Sequence, residues 1–135
     1  MTKLRLVVAD DFPPFLQKLV SFLKAEFDIV ATAECGRSAL EAIRRHRPEA
    51  AVLDLNMPGL SGIRVIEELA NSSKRTLVVI CSVATDADVI EAAREAGAVA
   101  YVIKSRLEKD LIPALNLAIQ SQVFVSSSLL EDGLS

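Results

Sequence analysis

The sequence contains few of the residues on which disulfide-rich, zinc-binding and cysteine-dependent proteins rely. There are two cysteines and one histidine in 135 residues. Cys35 and Cys81 each lie in or beside an apolar run, and their spacing matches no metal motif. We therefore expect reduced, partly buried thiols rather than a disulfide. His46 lies in a basic run at the end of a predicted helix, where the helix dipole is enough to explain it.

Long apolar runs and an excess of positive charge are also missing. The apolar run near the N-terminus is broken by Asp10 and is too short for a signal peptide, and no stretch approaches a membrane span. The net charge of −3 gives no indication of a nucleic-acid surface. Neither a P-loop nor a glycine-rich dinucleotide fingerprint is present. These absences favour a cytoplasmic protein that does not bind membranes.

What is present is a series of apolar runs that alternate with helical periodicity. The length and the composition, 51% apolar and 24% charged, are those of one globular domain. The runs predicted as buried strands are 4–9, 28–33, 51–53, 76–81 and 98–103. Apolar residues on both faces of these strands indicate a parallel sheet covered by helices on each side. We therefore predict an α/β, doubly wound, flavodoxin-like fold with a five-stranded parallel sheet, order 2-1-3-4-5, and five helices.

Several residues predict where the helices begin. Pro13 indicates the start of the first helix, since proline is tolerated in the first turn, and Ser61 suits the N-cap of the third. Thr85 and Ser105 each precede an acidic residue by three positions, which resembles a capping box for the fourth and fifth helices. Pro113 lies inside the last helical pattern and predicts a kink or a later start.

Acidic residues follow two of the predicted strands. Asp10 and Asp11 come directly after the first strand, and Asp54 follows the third. These strands flank the point where the strand order reverses, so the carboxylates are expected to converge. Close carboxylates repel one another and raise their pKa values, which a hard cation such as Mg²⁺ would relieve. Capping or solvation would explain any one of them alone, but together they predict a metal site.

Polar residues at other strand ends predict phosphoryl transfer. The carboxylate of Asp54 can attack phosphorus and form an aspartyl phosphate, whose three peripheral oxygens carry charge. Mg²⁺ suits one oxygen, the ammonium of Lys104 a second and the hydroxyl of Ser82 the third. Taken singly, Lys104 would be a surface lysine and Ser82 a turn residue. Tyr101 lies on the opposite face of the strand that ends at Lys104, where packing or a switching role would explain it.

Together these residues resemble the receiver domain of two-component response regulators, and the likeness covers about residues 3–121. The matching positions are Asp10, Asp11, Asp54, Asn56, Met57, Pro58, Gly62, Ser82, Tyr101 and Lys104. The resemblance implies that a sensor histidine kinase passes a phosphoryl group to Asp54, and that Lys104 and Ser82 contact this group. Movement of Ser82 and Tyr101 would then remodel the face formed by helix 4, strand 5 and helix 5. A protein of this kind catalyses the phosphoryl transfer to itself and its own slow dephosphorylation, but it is a signalling protein and not an enzyme.

The resemblance also implies a set of metal ligands. Asp11, Asp54 and the backbone carbonyl of Asn56 would bind Mg²⁺ directly, and Asp10 would hold it through water.

The same resemblance implies the domain organisation and the partners. Residues 1–122 would form the receiver domain. Residues 123–135 would be a linker or C-terminal tail toward a LuxR-type helix-turn-helix domain that is absent from this chain. DNA would be bound, and transcription controlled, only through that output domain. A free-standing receiver is the alternative. Homodimerisation on phosphorylation is a further expectation.

The sequence departs from the family pattern at three places. Residues 12–14, Phe-Pro-Pro, follow the acidic pair where a polar residue before one proline is more common, which would alter kinase docking. Ser105 follows Lys104 where many members have a proline in a cis bond, and we predict a trans bond because a cis bond here would cost ~3 kcal/mol. Ser82 replaces the commoner threonine but keeps the hydroxyl.

Three other functions compete with this hypothesis. A flavodoxin-like FMN-binding protein would need a Ser/Thr/Gly loop after the first strand, where the acidic pair would repel a phosphate. A haloacid-dehalogenase-type phosphatase would need a second aspartate two residues after Asp54, where the chain has Asn56. A receiver fold that binds proteins without phosphorylation is the main alternative, and the intact acidic set, Ser82 and Lys104 argue against it.

Overall fold

The computed structural model describes residues 3–71 and 76–132, with side chains described as far as residue 121. Strands and helices alternate along the chain, as the sequence predicted. The elements are β1 (Leu4–Ala9), α1 (Pro13–Leu23), β2 (Phe27–Ala33), α2 (Gly36–His46), β3 (Ala50–Leu53), α3 (Gly62–Leu69), β4 (Leu77–Ser82), α4 (Ala87–Ala96), β5 (Ala100–Ile103) and α5 (Leu107–Asp132), with a 3₁₀ turn over Lys104–Arg106 before α5. Within the described ranges, every helix is too short or too polar to span a bilayer.

The five strands form one parallel sheet in the order β2-β1-β3-β4-β5, which confirms the predicted topology. The register sets the last residues of neighbouring strands side by side. Ala9 of β1 pairs with Leu53 of β3, so Asp10 and Asp54 leave the sheet together. On the other side of β3, Ser82 of β4 pairs with Ile103, the last residue of β5. The polar residues that follow the strands therefore share one edge of the sheet.

Apolar side chains cover both faces of the sheet. Along β1, Val7 faces the side covered by α2, α3 and α4, whereas Leu6 and Val8 face α1 and α5. All three are fully buried. Because burial of each such side chain contributes about 1.5–3 kcal/mol, the strands form a firm base for the residues at their ends.

The helix starts confirm two predictions and correct two. Pro13 is the first residue of α1, and the Ser61 hydroxyl accepts a backbone N–H of α3 at 3.2 Å. The capping box at Thr85 is wrong, because Asp86 is the extended N-cap of α4 and makes no side-chain bond there. The capping box at Ser105 is also wrong, because that residue lies inside the 3₁₀ turn rather than in the extended conformation of a cap.

Helix α5 is continuous from Leu107 to Asp132. It passes through Pro113, so the predicted later start is wrong. The proline is exposed, and water can therefore reach the carbonyl that its missing N–H leaves without a helical partner. The helix also continues into the segment 123–135, and its role as a linker or tail stays a prediction. The Lys104–Ser105 bond is trans, as predicted.

Both cysteines are free thiols, as predicted. The Cys35 side chain caps α2 and contacts the Ser38 hydroxyl at 3.1 Å and its backbone N–H at 3.5 Å. These hydrogen bonds lower the pKa of the Cys35 thiol. Cys81 lies inside β4, and burial raises its pKa to about 12. The two thiols therefore differ in their chemistry although neither is paired.

Candidate functional site

Three carboxylates meet at the carboxyl edge of the sheet. Asp10, Asp11 and Asp54 each offer an oxygen, and these oxygens lie within 4.8 Å of one another. Asp10 and Asp54 are buried, with 1% and 6% of their surface exposed, whereas Asp11 is exposed. The cleft thus has two carboxylates at its base and one at its rim. This confirms the convergence predicted from the ends of strands 1 and 3.

The backbone around Asp54 is held by close packing with α3. The Asp54 N–H donates to the Ala9 carbonyl at 3.1 Å, and the Asn56 N–H lies 3.5 Å from Oδ1 of Asp54. Gly62, the first residue of α3, donates to the Leu55 carbonyl at 2.8 Å. A Cβ at Gly62 would lie only 2.5 Å from the Asp54 carbonyl oxygen. The absence of a side chain at Gly62 therefore lets α3 begin directly against the turn that carries Asp54.

Lys104 joins the two buried carboxylates. Its Nζ lies 2.7 Å from Oδ2 of Asp10 and 3.3 Å from Oδ2 of Asp54. Its side chain is 16% exposed, and the ammonium lies 4.5 Å from the centroid of the Phe15 ring on α1. The lysine that follows β5 thus reaches across β4 to the carboxylates that follow β1 and β3.

The charges in the cleft shift the pKa values of two groups. Burial raises the pKa of Asp54, Lys104 opposes this shift and Asp10 reinforces it. Burial alone would lower the pKa of Lys104, but the short contact with Asp10 and the charge of Asp54 outweigh it and raise the pKa. Lys104 therefore remains an ammonium at neutral pH. One cation faces two buried carboxylates and a third at the rim, which leaves negative charge in excess.

The donor set fits a hard divalent cation. Oδ1 of Asp10 accepts the Phe12 N–H at 2.9 Å. Oδ2 of the same carboxylate is buried and accepts no hydrogen bond of good geometry among the described residues. The Lys104 ammonium pairs with it by charge and distance only. A buried carboxylate oxygen with spare acceptor capacity, beside two further carboxylates, is the arrangement that Mg²⁺ and its bound waters can complete.

Ser82 and Tyr101 meet at the loop between β4 and α4. The Ser82 hydroxyl is fully buried and accepts the Ala84 N–H at 3.2 Å. The Tyr101 hydroxyl donates to the Ala84 carbonyl at 2.8 Å. Tyr101 packs on the side of the sheet covered by α2, α3 and α4, whereas Lys104 lies against Phe15 of α1. The two residues are therefore on opposite faces, as strand alternation predicted.

Sequence reasoning missed two features of this site. It assigned no role to Phe15 of the first helix, because an apolar pattern does not distinguish a ring over an ammonium from a ring in the core. It also did not predict that the N–H and the carbonyl of Ala84 are both hydrogen-bonded to side chains. The only available signal for Phe15 was its position in the first turn after the acidic pair.

Comparison with known proteins agrees with this geometry. The family model "Response regulator receiver domain" matches residues 6–116. The transcriptional regulatory protein PdtaR of Mycobacterium tuberculosis is 34% identical over 116 residues, which are 85% of this chain and 56% of that protein. The chain thus spans little more than half the length of this relative.

Solved structures of response regulators have the same fold as this chain. The signal receiver domain of the response regulator NarL from Mycobacterium tuberculosis has a TM-score of 0.85 and 29% identity, and the match covers 89% of this chain and 98% of that one. A DNA-binding response regulator of the LuxR family from Staphylococcus aureus has a TM-score of 0.82 and 27% identity, covering 86% and 98%.

Proposed function

The chain belongs to the family of response regulator receiver domains, and on that premise we propose that Asp54 accepts a phosphoryl group from a sensor histidine kinase in a Mg²⁺-dependent reaction. The observation that carries the proposal is the position of Asp54 inside the three-carboxylate cluster, with the Lys104 ammonium 3.3 Å away. A nucleophilic carboxylate, a fixed cation and a metal site are the parts that phosphoryl transfer needs.

The clustering of Asp10, Asp11 and Asp54 supports a Mg²⁺ site. Asp11, Asp54 and the backbone carbonyl of Asn56 would bind Mg²⁺ directly, and Asp10 would hold it through water. Bound there, Mg²⁺ would supply positive charge to the oxygens of the transferring phosphoryl group.

The chain's own residues would do the rest. One carboxylate oxygen of Asp54 bonds to phosphorus while the bond from phosphorus to the donor atom breaks, and the donor leaves with that electron pair. Asp54 must be ionised to attack. Lys104 favours that form, since its charge opposes the upward pKa shift that burial imposes. The Lys104 ammonium and the Ser82 hydroxyl would then each take one phosphoryl oxygen.

The same group would switch the β4–α4 loop. Ser82 now accepts the Ala84 N–H and Tyr101 donates to the Ala84 carbonyl. If the Ser82 side chain moves toward a phosphoryl oxygen to donate its hydroxyl proton, its 3.2 Å contact with the Ala84 N–H would break, and Ala84 would lose one of its two described hydrogen bonds. Tyr101, which is already half-buried and donates to the Ala84 carbonyl, would move with this loop, and the face formed by α4, β5 and α5 would be remodelled.

That face would carry the signal onward. We expect it to control homodimerisation and, through a LuxR-type output domain, the binding of DNA and transcription. We also expect a cytoplasmic location. The Phe12 side chain, 60% exposed at the rim of the cleft, would contribute to kinase docking.

Incubation with acetyl phosphate and Mg²⁺ followed by intact-mass measurement tests the proposal. We expect a gain of one phosphoryl group, lost in Asp54→Asn and in EDTA. Asp28→Asn is the matched control, because Asp28 is an exposed aspartate of β2, and it should be phosphorylated like the parent. A parent chain that gains no phosphoryl group from this donor or from a histidine kinase would instead support a protein-binding module that works without phosphorylation.

A further inference from the structure

Among the described residues, the Lys104 ammonium lies beside two carboxylates and over one aromatic ring. Asp10 and Asp54 lie 2.7 Å and 3.3 Å from Nζ, and the centroid of the Phe15 ring lies 4.5 Å away. A cation within about 6 Å of a ring centroid is attracted by the negative face of the ring. With these contacts the Lys104 side chain is only 16% exposed.

The carboxylates and the ring respond differently to a bound metal. Asp10 and Asp54 are the residues to which a divalent cation would be drawn, so their attraction for Lys104 weakens when the metal arrives. Phe15 carries no charge and does not compete for the metal. It stands in the first turn of α1, whose start is fixed by Pro13. The ring is therefore the one of the three contacts that metal binding leaves in place.

We propose that Phe15 is a positioning residue, whose ring holds the Lys104 ammonium over the cleft when the carboxylates are occupied by metal and phosphoryl group. This inference rests on the proposed phosphoryl transfer to Asp54. Without the ring, the freed ammonium would spend part of its time in solvent, and fewer molecules would have Lys104 placed to meet a phosphoryl oxygen. The contact thus acts on the rate of phosphorylation through Lys104 and not by touching the substrate.

A plain packing role makes different predictions. Phe15 also packs against the apolar cluster between the sheet, α1 and α5, and any side chain of similar shape would satisfy that role. A positioning role depends on the charge distribution of the ring. Ring fluorination separates the two, because it weakens the negative face of the ring in steps while it changes the shape little.

The test measures the rate of phosphorylation by acetyl phosphate and Mg²⁺ in chains with one, two or three fluorines on the ring at position 15. We expect the rate to fall at each step, by about three- to tenfold in total, while the unfolding midpoint stays constant. Phe15→Tyr should stay within about twofold of the parent, and Phe15→Leu should match the trifluorinated chain. The matched control is fluorination of Phe22, which lies on the same helix and packs against the same cluster, and there the rate should not change.

A second readout does not depend on phosphorylation. In the unmodified protein, the ring current of Phe15 should move the Cε protons of Lys104 upfield in the NMR spectrum, and Phe15→Leu should abolish that shift. Absence of the shift, or equal rates across the fluorinated series, would overturn the inference while the proposed function stands. A parent chain that accepts no phosphoryl group would overturn both.

Discussion

Replacement of Lys104 by methionine should remove the positive charge that offsets the buried carboxylates of the cleft, and so destabilise the folded protein. Lys104 is the cation that faces the buried Asp10 and Asp54. Removal of one partner of a buried pair costs about 3–5 kcal/mol. Because the Lys104 side chain keeps 16% of its exposure, water reduces this penalty, and we expect Lys104→Met to lower the free energy of unfolding by about 2 kcal/mol at pH 7.5. For a chain of this length that is a fall of roughly 5–10 °C in Tm.

The loss should depend on pH in a defined direction. Burial already raises the pKa of Asp54, and Lys104 opposes that shift. Without the lysine, the pKa of Asp54 rises further above its unfolded value. A carboxyl group with a raised pKa destabilises the folded state as the pH rises past the unfolded value, and protonation removes the penalty. The difference between Lys104→Met and the parent should therefore shrink as the pH falls through the range in which Asp54 of the variant becomes protonated.

Urea unfolding at several pH values, without Mg²⁺, measures this difference. Lys18→Met is the matched control, because Lys18 pairs with Glu108 at 3.5 Å on the surface and both side chains are more than half exposed. That substitution should change the free energy of unfolding by less than about 0.5 kcal/mol. A loss at Lys104 that stays the same at every pH down to the acid unfolding of the protein, or that is no larger than the loss at Lys18, would refute the reasoning.

Two further outcomes follow from the packing and the thiols. Gly62→Ala should lower the free energy of unfolding by about 1–3 kcal/mol, since its Cβ would lie 2.5 Å from the Asp54 carbonyl oxygen. Gly59→Ala is in open space but at φ +83°, and it should lower the free energy of unfolding by about 1 kcal/mol. A larger loss at Gly59 than at Gly62 in denaturant unfolding would contradict the packing. Cys35 should react with a thiol reagent at pH 8 within minutes, whereas Cys81, with its pKa raised to about 12, should react only on unfolding; equal labelling rates by mass spectrometry would contradict this.

The site was predictable because it depends on few long-range facts. A parallel sheet in the order 2-1-3-4-5 brings the ends of β1 and β3 together whatever the surrounding loops do. Once Asp10 and Asp54 were recognised as residues that follow buried strands, their meeting followed from topology alone. The prediction that Lys104 lies near these carboxylates required only that β5 be placed beside β4. The sequence pattern carries this information because apolar runs and the polar residues at their ends are local features.

The predicted capping boxes were wrong where tertiary contacts decide the local conformation. Thr85 has the spacing of a capping box, but the loop before α4 is held at Ala84 by the hydroxyl of Tyr101, 17 residues away in the chain. Ser105 has the same spacing, but it follows a lysine that reaches back to Asp10 and Asp54, and the chain there tightens into a 3₁₀ turn. A capping pattern describes a helix end in isolation, whereas contacts with residues of the site determine the conformation at these two helix starts.

The most direct test of the central claim is to locate the phosphoryl group. An aspartyl phosphate formed with acetyl phosphate and Mg²⁺ is reduced by borohydride to homoserine, which peptide mass spectrometry can assign to one position. The account predicts homoserine at position 54, with none at positions 10 and 11 and none when EDTA is present. Reduction at another carboxylate, or at position 54 to the same extent without Mg²⁺, would contradict it.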